Sequence, residues 1–235
     1  MRRPAMDTRT PTDGALADLR LRQLTSATLP VGAFAYSQGL ETAVELGWVG
    51  DLPQAAAWIG GQLQHSLARV EVPLLARLMA AFSAEDRDAA MHWSGLLLAM
   101  RDTAELRAQE RALASAWAVL LGDLDLDDAR TWVDLPQRTA LALFALAATR
   151  FRIAPPTAAQ ACLWAWLEAQ VSAAVRAVPL GHTAAQRLLY ELAQDIPAVV
   201  ASGLAVADAD IGAAAPALAI ASCRHETQYS RLFRS

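Results

Sequence analysis

Two cysteines, Cys162 and Cys223, and four histidines, His65, His92, His182 and His225, are the side chains best able to ligate a transition metal. None of His65, His92 and His182 has a histidine or cysteine four positions away, the spacing that sets two ligands on one helix face. These three read as ordinary surface or core histidines. Cys223 and His225 stand one residue apart, and thiolate with imidazole would suit Ni2+. Two neighbouring donors make half a site, so no metal residue is assigned. The chain carries no G-x-S-x-G or H-E-x-x-H pattern, and Gly60-Gly61 lacks the rest of a phosphate-binding loop. Lysine is absent throughout, which removes Schiff-base chemistry and a P-loop lysine. No catalytic or cofactor-binding residue is assigned.

Recognition chemistry is better represented. In Thr28-Leu-Pro-Val-Gly-Ala-Phe-Ala-Tyr-Ser-Gln-Gly-Leu-Glu41, Pro30 fixes its own φ and pushes Leu29 out of the helical region. Gly32 is free to take positive φ. Phe34 and Tyr36, two apart, fall on one side of a locally extended strip. Ser37 is placed to cap a helix running through Leu40, Val44 and Leu46. Glu41 lies four residues after Ser37, one too many for a capping box, so capping alone does not account for it. At the other end, Arg224, Arg231 and Arg234 interleave with His225, Glu226, Tyr229 and Phe233, and arginine and aromatics supply most binding energy at protein interfaces. The plain readings are a packed helix–loop–helix corner and a frayed terminus. The functional readings are a loop that meets a partner and a tail that orders on one.

The 28–41 stretch resembles the N-terminal pattern of the urease accessory protein UreF family. Arg224-His-Glu-Thr-Gln-Tyr-Ser-Arg-Leu-Phe-Arg-Ser235 resembles that family's terminal pattern, and Ala173-Ala-Val-Arg-Ala-Val-Pro-Leu-Gly181 extends the likeness between them. Two departures stand out: His182 where many relatives have glutamine, and a glycine expected beyond Glu110 replaced within Ala112–Ser115. The resemblance implies a non-enzymatic component of nickel insertion into apo-urease that binds UreD (also called UreH) and recruits and modulates the GTPase UreG. Nickel and GTP would be handled by that GTPase, with no cofactor bound directly here, and family members commonly form homodimers. Carried over by motif, the partner-binding residues are Pro30, Gly32, Phe34, Tyr36, Ser37, Gln38, Gly39 and Glu41, with Arg224, His225, Glu226, Gln228, Tyr229, Arg231 and Phe233. The tail is expected to dock on UreD/UreH, and the Pro30–Glu41 loop to lie near the UreG or dimer surface.

Composition sets the frame for these residues. Of 235 residues 54% are hydrophobic and 19% charged, the balance of an apolar globular protein rather than a disordered one. A net charge of -4 argues against a dedicated nucleic-acid binder. Two cysteines with no C-x-x-C spacing suit a reducing cytoplasm. The apolar runs at 139–149, 153–167, 196–207 and 211–223 fall short of the ~18–20 residues that cross a bilayer, so no membrane span is expected. Arg2-Arg3 is followed by no apolar core, and residues 1–15 read as a disordered leader.

The positioning elements read as helices throughout, because no stretch sustains period-two alternation. The expectation is all-α: a single compact domain of about ten helices over 16–222, with 223–235 as a docking tail. Helix starts are expected at Leu16, at Asp51 with Pro53 in the first turn, at Ser83, at Thr103 and at Pro136. Thr157-Ala-Ala-Gln160 and Thr183-Ala-Ala-Gln186 read as capping boxes, and a last helix is expected from about Asp210. Trp132-Val-Asp-Leu-Pro-Gln137 repeats the wording of residues 48–54, two uses of one helix-start device. Two other functional classes remain in view. A helical enzyme would bring Glu41, Glu105, Glu110 and His65 together in a pocket. A nucleic-acid adaptor would show a continuous arginine surface.

Overall fold

The structure, a computed structural model, describes residues 11–235. Residues 1–10 of the expected leader lie outside the described residues, and the first helix already occupies the positions that follow. In chain order the α-helices are α1 (Pro11–Leu24), α2 (Leu40–Glu45), α3 (Leu52–Gln62), α4 (Glu71–Ser83), α5 (Arg87–Ala99) and α6 (Ala104–Asp123). They continue with α7 (Asp127–Arg130), α8 (Ala140–Arg150), α9 (Pro155–Ala177), α10 (His182–Ala193), α11 (Ile196–Leu204) and α12 (Pro216–His225). Among the described residues no strand forms, and the chain is all-α as its periodicity predicts.

Helix α8 is the most deeply placed element, with every residue from Leu141 to Ala148 buried. Its sequence, Ala-Leu-Ala-Leu-Phe-Ala-Leu-Ala-Ala-Thr-Arg, is apolar on all faces, the pattern of a helix with neighbours all round. Helix α4 lies against it and also packs on α5, α9 and α11. Helix α9 spans the molecule, touching α2, α3, α10 and α11, so it joins the chain's two ends. At the closest approaches glycine is required. A Cβ on Gly203 of α11 would fall 2.7 Å from the Ala68 carbonyl oxygen.

Several helix starts differ from the sequence expectation, each for a local reason. Asp51 caps α3 as expected, accepting from Gln54 N at 2.9 Å with Pro53 in the first turn. The parallel wording at 132–137 opens no helix: residues 132–138 make successive turns, and α8 starts only at Ala140, capped by Thr139. Ser83 ends α4 rather than capping the next helix; the chain turns at Glu85 (φ 55) and Asp86 caps α5. Neither Thr157 nor Thr183 caps. Pro155 opens α9, where a missing N–H costs nothing, and Gly181 precedes α10, so each threonine lies inside its helix. Pro216 sets the start of α12 six residues beyond the expected Asp210. Gly60-Gly61 does not break its helix but passes into a π-turn at Leu63–Leu67, with Leu192 of α10 seated 3.2 Å from where a Gly60 Cβ would stand.

Candidate functional site

The two stretches singled out in the sequence meet. Tail residues 226–235 run back from the end of α12 across the loop between α1 and α2, so residues nearly two hundred positions apart form one polar clasp. Glu41, in the first turn of α2, is its centre. Its Oε1 accepts from Leu232 N at 2.6 Å and its Oε2 from Phe233 N at 2.9 Å. Helix capping did not account for Glu41 in the sequence. Its partner is the tail backbone, and charge-assisted bonds of this kind are the strong ones.

His225, the last residue of α12, has no exposed surface. Its Nδ1 lies 2.6 Å from Glu105 Oε2 on α6, a contact in which the carboxylate accepts. Nε2 stands 3.5 Å from Glu41 Oε2, too far for a hydrogen bond, and is otherwise unpartnered. Arg231 bonds the second oxygen of Glu105 at 2.7 Å and also donates to the carbonyls of Gln228 and Glu226, locking the tail's turn. Glu226 accepts from Ala104 N at 3.0 Å and so helps to cap α6. Gln228 Oε1 accepts from Thr42 Oγ1 at 2.9 Å.

Ser37 departs from its expected role. Helix α2 begins at Leu40 after Gly39 (φ 81), and Ser37 is fully buried. Its N–H and hydroxyl both donate to Ser235 O, at 2.8 and 2.7 Å, while its Oγ receives Glu41 N at 3.3 Å. Gly39 is glycine for a second reason besides its φ: a Cβ there would meet Leu218 Cδ1 at 3.1 Å and Ala221 Cβ at 3.3 Å on α12. Gln38, also at positive φ, accepts from Trp166 Nε1 at 2.8 Å, which ties the loop to α9. Residues 33–35 make a 3-10 turn rather than an extended strip, with Gly32 (φ 79) at its head. Phe34 and Tyr36 therefore do not share a side: Phe34 is 69% exposed, and Tyr36 is half-buried.

The residues named in advance thus divide. Ser37, Gly39, His225 and Phe233 are buried within this chain, whereas Pro30, Phe34, Arg224, Glu226, Tyr229 and Arg231 are exposed. Tyr229 is fully exposed, and Leu232, which was not singled out, is 59% exposed. Sequence reasoning also missed Arg176. From the end of α9 it donates to the Phe34 carbonyl at 2.7 Å and lies 4.3 Å from the centre of the Phe233 ring. The only signal for it was its place inside the 173–181 stretch.

The enzyme reading asked whether Glu41, Glu105, Glu110 and His65 converge. Glu41 and Glu105 do meet, around His225, but their oxygens are committed to the tail. Glu110 belongs elsewhere, with Arg101 at 2.7 Å, and His65 is exposed on the π-turn. Cys223 is exposed while His225 is buried, so the neighbouring pair does not face one space. Among the described residues no group of three or more His, Cys, Asp or Glu side chains could hold a metal ion, and no helix is long and apolar enough to cross a membrane.

Fold and site together define an all-helical domain in which a buried polar clasp fastens the chain's two distinctive stretches and leaves an aromatic, arginine-bearing rim outside. The UreF family model matches residues 49–193, the helical body between those stretches. A urease accessory protein UreF of Alkalilimnicola ehrlichii is 52% identical over 226 residues, covering 96% of this chain and 99% of the relative. Proteins of the same name from Klebsiella pneumoniae (46% over 217 residues; 92% and 97%) and Alcanivorax borkumensis (45% over 227 residues; 93% and 98%) are similar over nearly their whole lengths. The chain belongs to the UreF family of urease accessory proteins.

Proposed function

We propose that this chain is a non-catalytic scaffold for nickel insertion into apo-urease, acting in the cytoplasm, that binds UreD/UreH and recruits and modulates the GTPase UreG. Nickel and nucleotide are handled by the GTPase; this chain positions it, as a homodimer within the larger complex. Family membership supports the urease role. The observation that carries the scaffold reading is the clasp. It commits Glu41 and Glu105 to the tail and leaves Tyr229, Leu232 and Arg224 outside, residue types apt for a protein contact. The tail face is assigned to UreD/UreH, and the exposed Phe34 loop to the UreG or dimer surface.

Removing the whole tail would strip buried anchors as well as contacts, so point changes are the better test. Tyr229→Ala and Leu232→Ala, each checked for an unchanged far-ultraviolet spectrum, are co-purified with UreD/UreH and UreG beside the parent chain. Loss of UreD/UreH from the folded variants supports the assignment. Retention by both moves the docking face to the Phe34 loop, and a parent chain that captures neither partner overturns the reading.

A further inference from the structure

Besides fastening the tail, the clasp encloses a histidine whose contacts depend on its charge. The two ring nitrogens of His225 face two carboxylates: Nδ1 stands 2.6 Å from Glu105 Oε2, and Nε2 stands 3.5 Å from Glu41 Oε2. A neutral imidazole has one N–H and one bare nitrogen. Whichever nitrogen is bare, its lone pair is turned on a carboxylate oxygen in a place with no exposed surface. Only the protonated ring offers an N–H to both sides. Nε2 has no other hydrogen-bond partner.

Both Glu41 oxygens accept tail amides, from Leu232 and Phe233, and Glu105 Oε1 accepts from Arg231 at 2.7 Å. Those bonds suit ionised carboxylates. The charges facing the ring are thus Glu41 on α2 and Glu105 on α6, with Arg231 of the tail beyond Glu105. Of the charged residues beside it in the chain, Arg224 is exposed and Glu226 is turned to the Ala104 amide. With a neutral His225, two negative charges meet one positive charge. With a protonated one they balance, and a buried charge is tolerated when paired.

We infer that His225 is a proton-sensitive latch: its protonated ring ties the end of α12 to both α2 and α6, and losing that proton slackens the tail. The hold is firm at the acid end of the range in which histidines titrate, where glutamates are still ionised, and it weakens as rising pH removes the proton. What the latch governs is the rim, because residues 226–235 carry Tyr229 and Leu232. It needs no partner and stands apart from the urease role.

Hydrogen exchange of the full chain between about pH 6 and pH 8 tests it, with each amide expressed as protection over its unstructured rate so that intrinsic pH dependence drops out. Protection at Leu232 and Phe233 should fall severalfold across that range, at most about tenfold per pH unit for one proton, while α8 holds steady. In His225→Gln, which keeps a polar side chain with nothing to titrate, the profile should be flat. His65, His92 and His182 are exposed and remain in that variant, so the difference isolates His225. Should the variant leave the tail unprotected throughout, the parent alone decides. Nitrogen-15 shifts of its His225 ring must show both nitrogens protonated where the tail is held and one bare where it slackens. A ring neutral at pH 6 in the closed clasp, tail protection that is constant or rises with pH, or the same decline in His225→Gln would each overturn the proposal.

Discussion

The imidazole of His225 and the carboxylate of Glu105 meet at 2.6 Å in a place where the histidine has no exposed surface. Glu105 simultaneously holds Arg231, so the end of α12, the first turn of α6 and the tail are fixed by one side chain. A largely buried carboxylate with two such partners is costly to strip of either one, because its charge is then less compensated.

His225→Ala should therefore loosen the tail without unfolding the helical body. The expected cost is about 1–3 kcal/mol, the range for a buried hydrogen bond to a charged group left unmade. Hydrogen exchange should show faster exchange at residues 226–235 and little change in α8. Uniform loss of protection across both would mean that the clasp is part of the global unfolding unit.

Glu41→Gln retains one side-chain oxygen and loses the charge. It should release one of the two tail amides, Leu232 or Phe233, and weaken the other. Limited proteolysis should cut the variant near residues 229–232 while the parent resists, and a matching digestion pattern would place the tail's stability elsewhere.

Phe233 is 3% exposed and lies under Arg176. Phe233→Ala removes a buried aromatic ring, for which about 3–5 kcal/mol is usual, and it also removes the cation–π contact. Phe233→Leu should recover most of the packing but not that contact. A thermal melt ordering parent, leucine and alanine forms in that sequence is expected; equal losses for both variants would show that the ring's face, rather than its volume, is what matters.

Arg101 is balanced against two carboxylates. Burial alone would lower its pKa, but Glu110 and then Glu71 outweigh it and hold the guanidinium above its ordinary value. Arg101→Met should cost about 3–5 kcal/mol by leaving uncompensated charge, and Arg101→Lys less, since lysine keeps the charge but cannot span Glu71 and bond Glu110 through two nitrogens. Denaturant midpoints give the order directly.

Cys162, near the same triad, gives a pH dependence. Desolvation, followed by the charges of Glu71 and Glu110, pushes its thiol up to about 12 from an ordinary 9.0. The folded state thus holds the proton more tightly than the unfolded one. The stability it contributes is fully present below pH 9.0 and is lost progressively as pH rises toward 12. Between pH 9 and 10.5 the parent should lose stability faster than Cys162→Ala. At pH 8, iodoacetamide should label the exposed Cys223 and spare Cys162 in the native protein.

Periodicity was enough for the fold class, since α3, α6 and α8 are amphipathic or wholly apolar over many residues. Helix starts were harder. Thr157 and Thr183 carry the capping-box wording, yet Pro155 and Gly181 act two residues earlier, and only the three-dimensional path decides which device is used. The site was half legible. Glu41 stood out because local capping did not explain it, but nothing local says that its partners are the amides of residues 232 and 233. Arg176 was silent for the same reason: its two contacts, to the Phe34 carbonyl and the Phe233 ring, come from opposite ends of the chain.

The separation between Glu41 and Leu232 is 191 positions. A ribosome adding roughly 5–20 residues per second would expose Glu41 some ten to forty seconds before its partner exists. For that interval Ser37, Gly39 and Glu41 face water with their binding partners unmade, and the helical body must form without them. A chain made through Phe233 can close the clasp and hold the rim that carries Tyr229 and Leu232, and one stopped before Tyr229 carries no such rim.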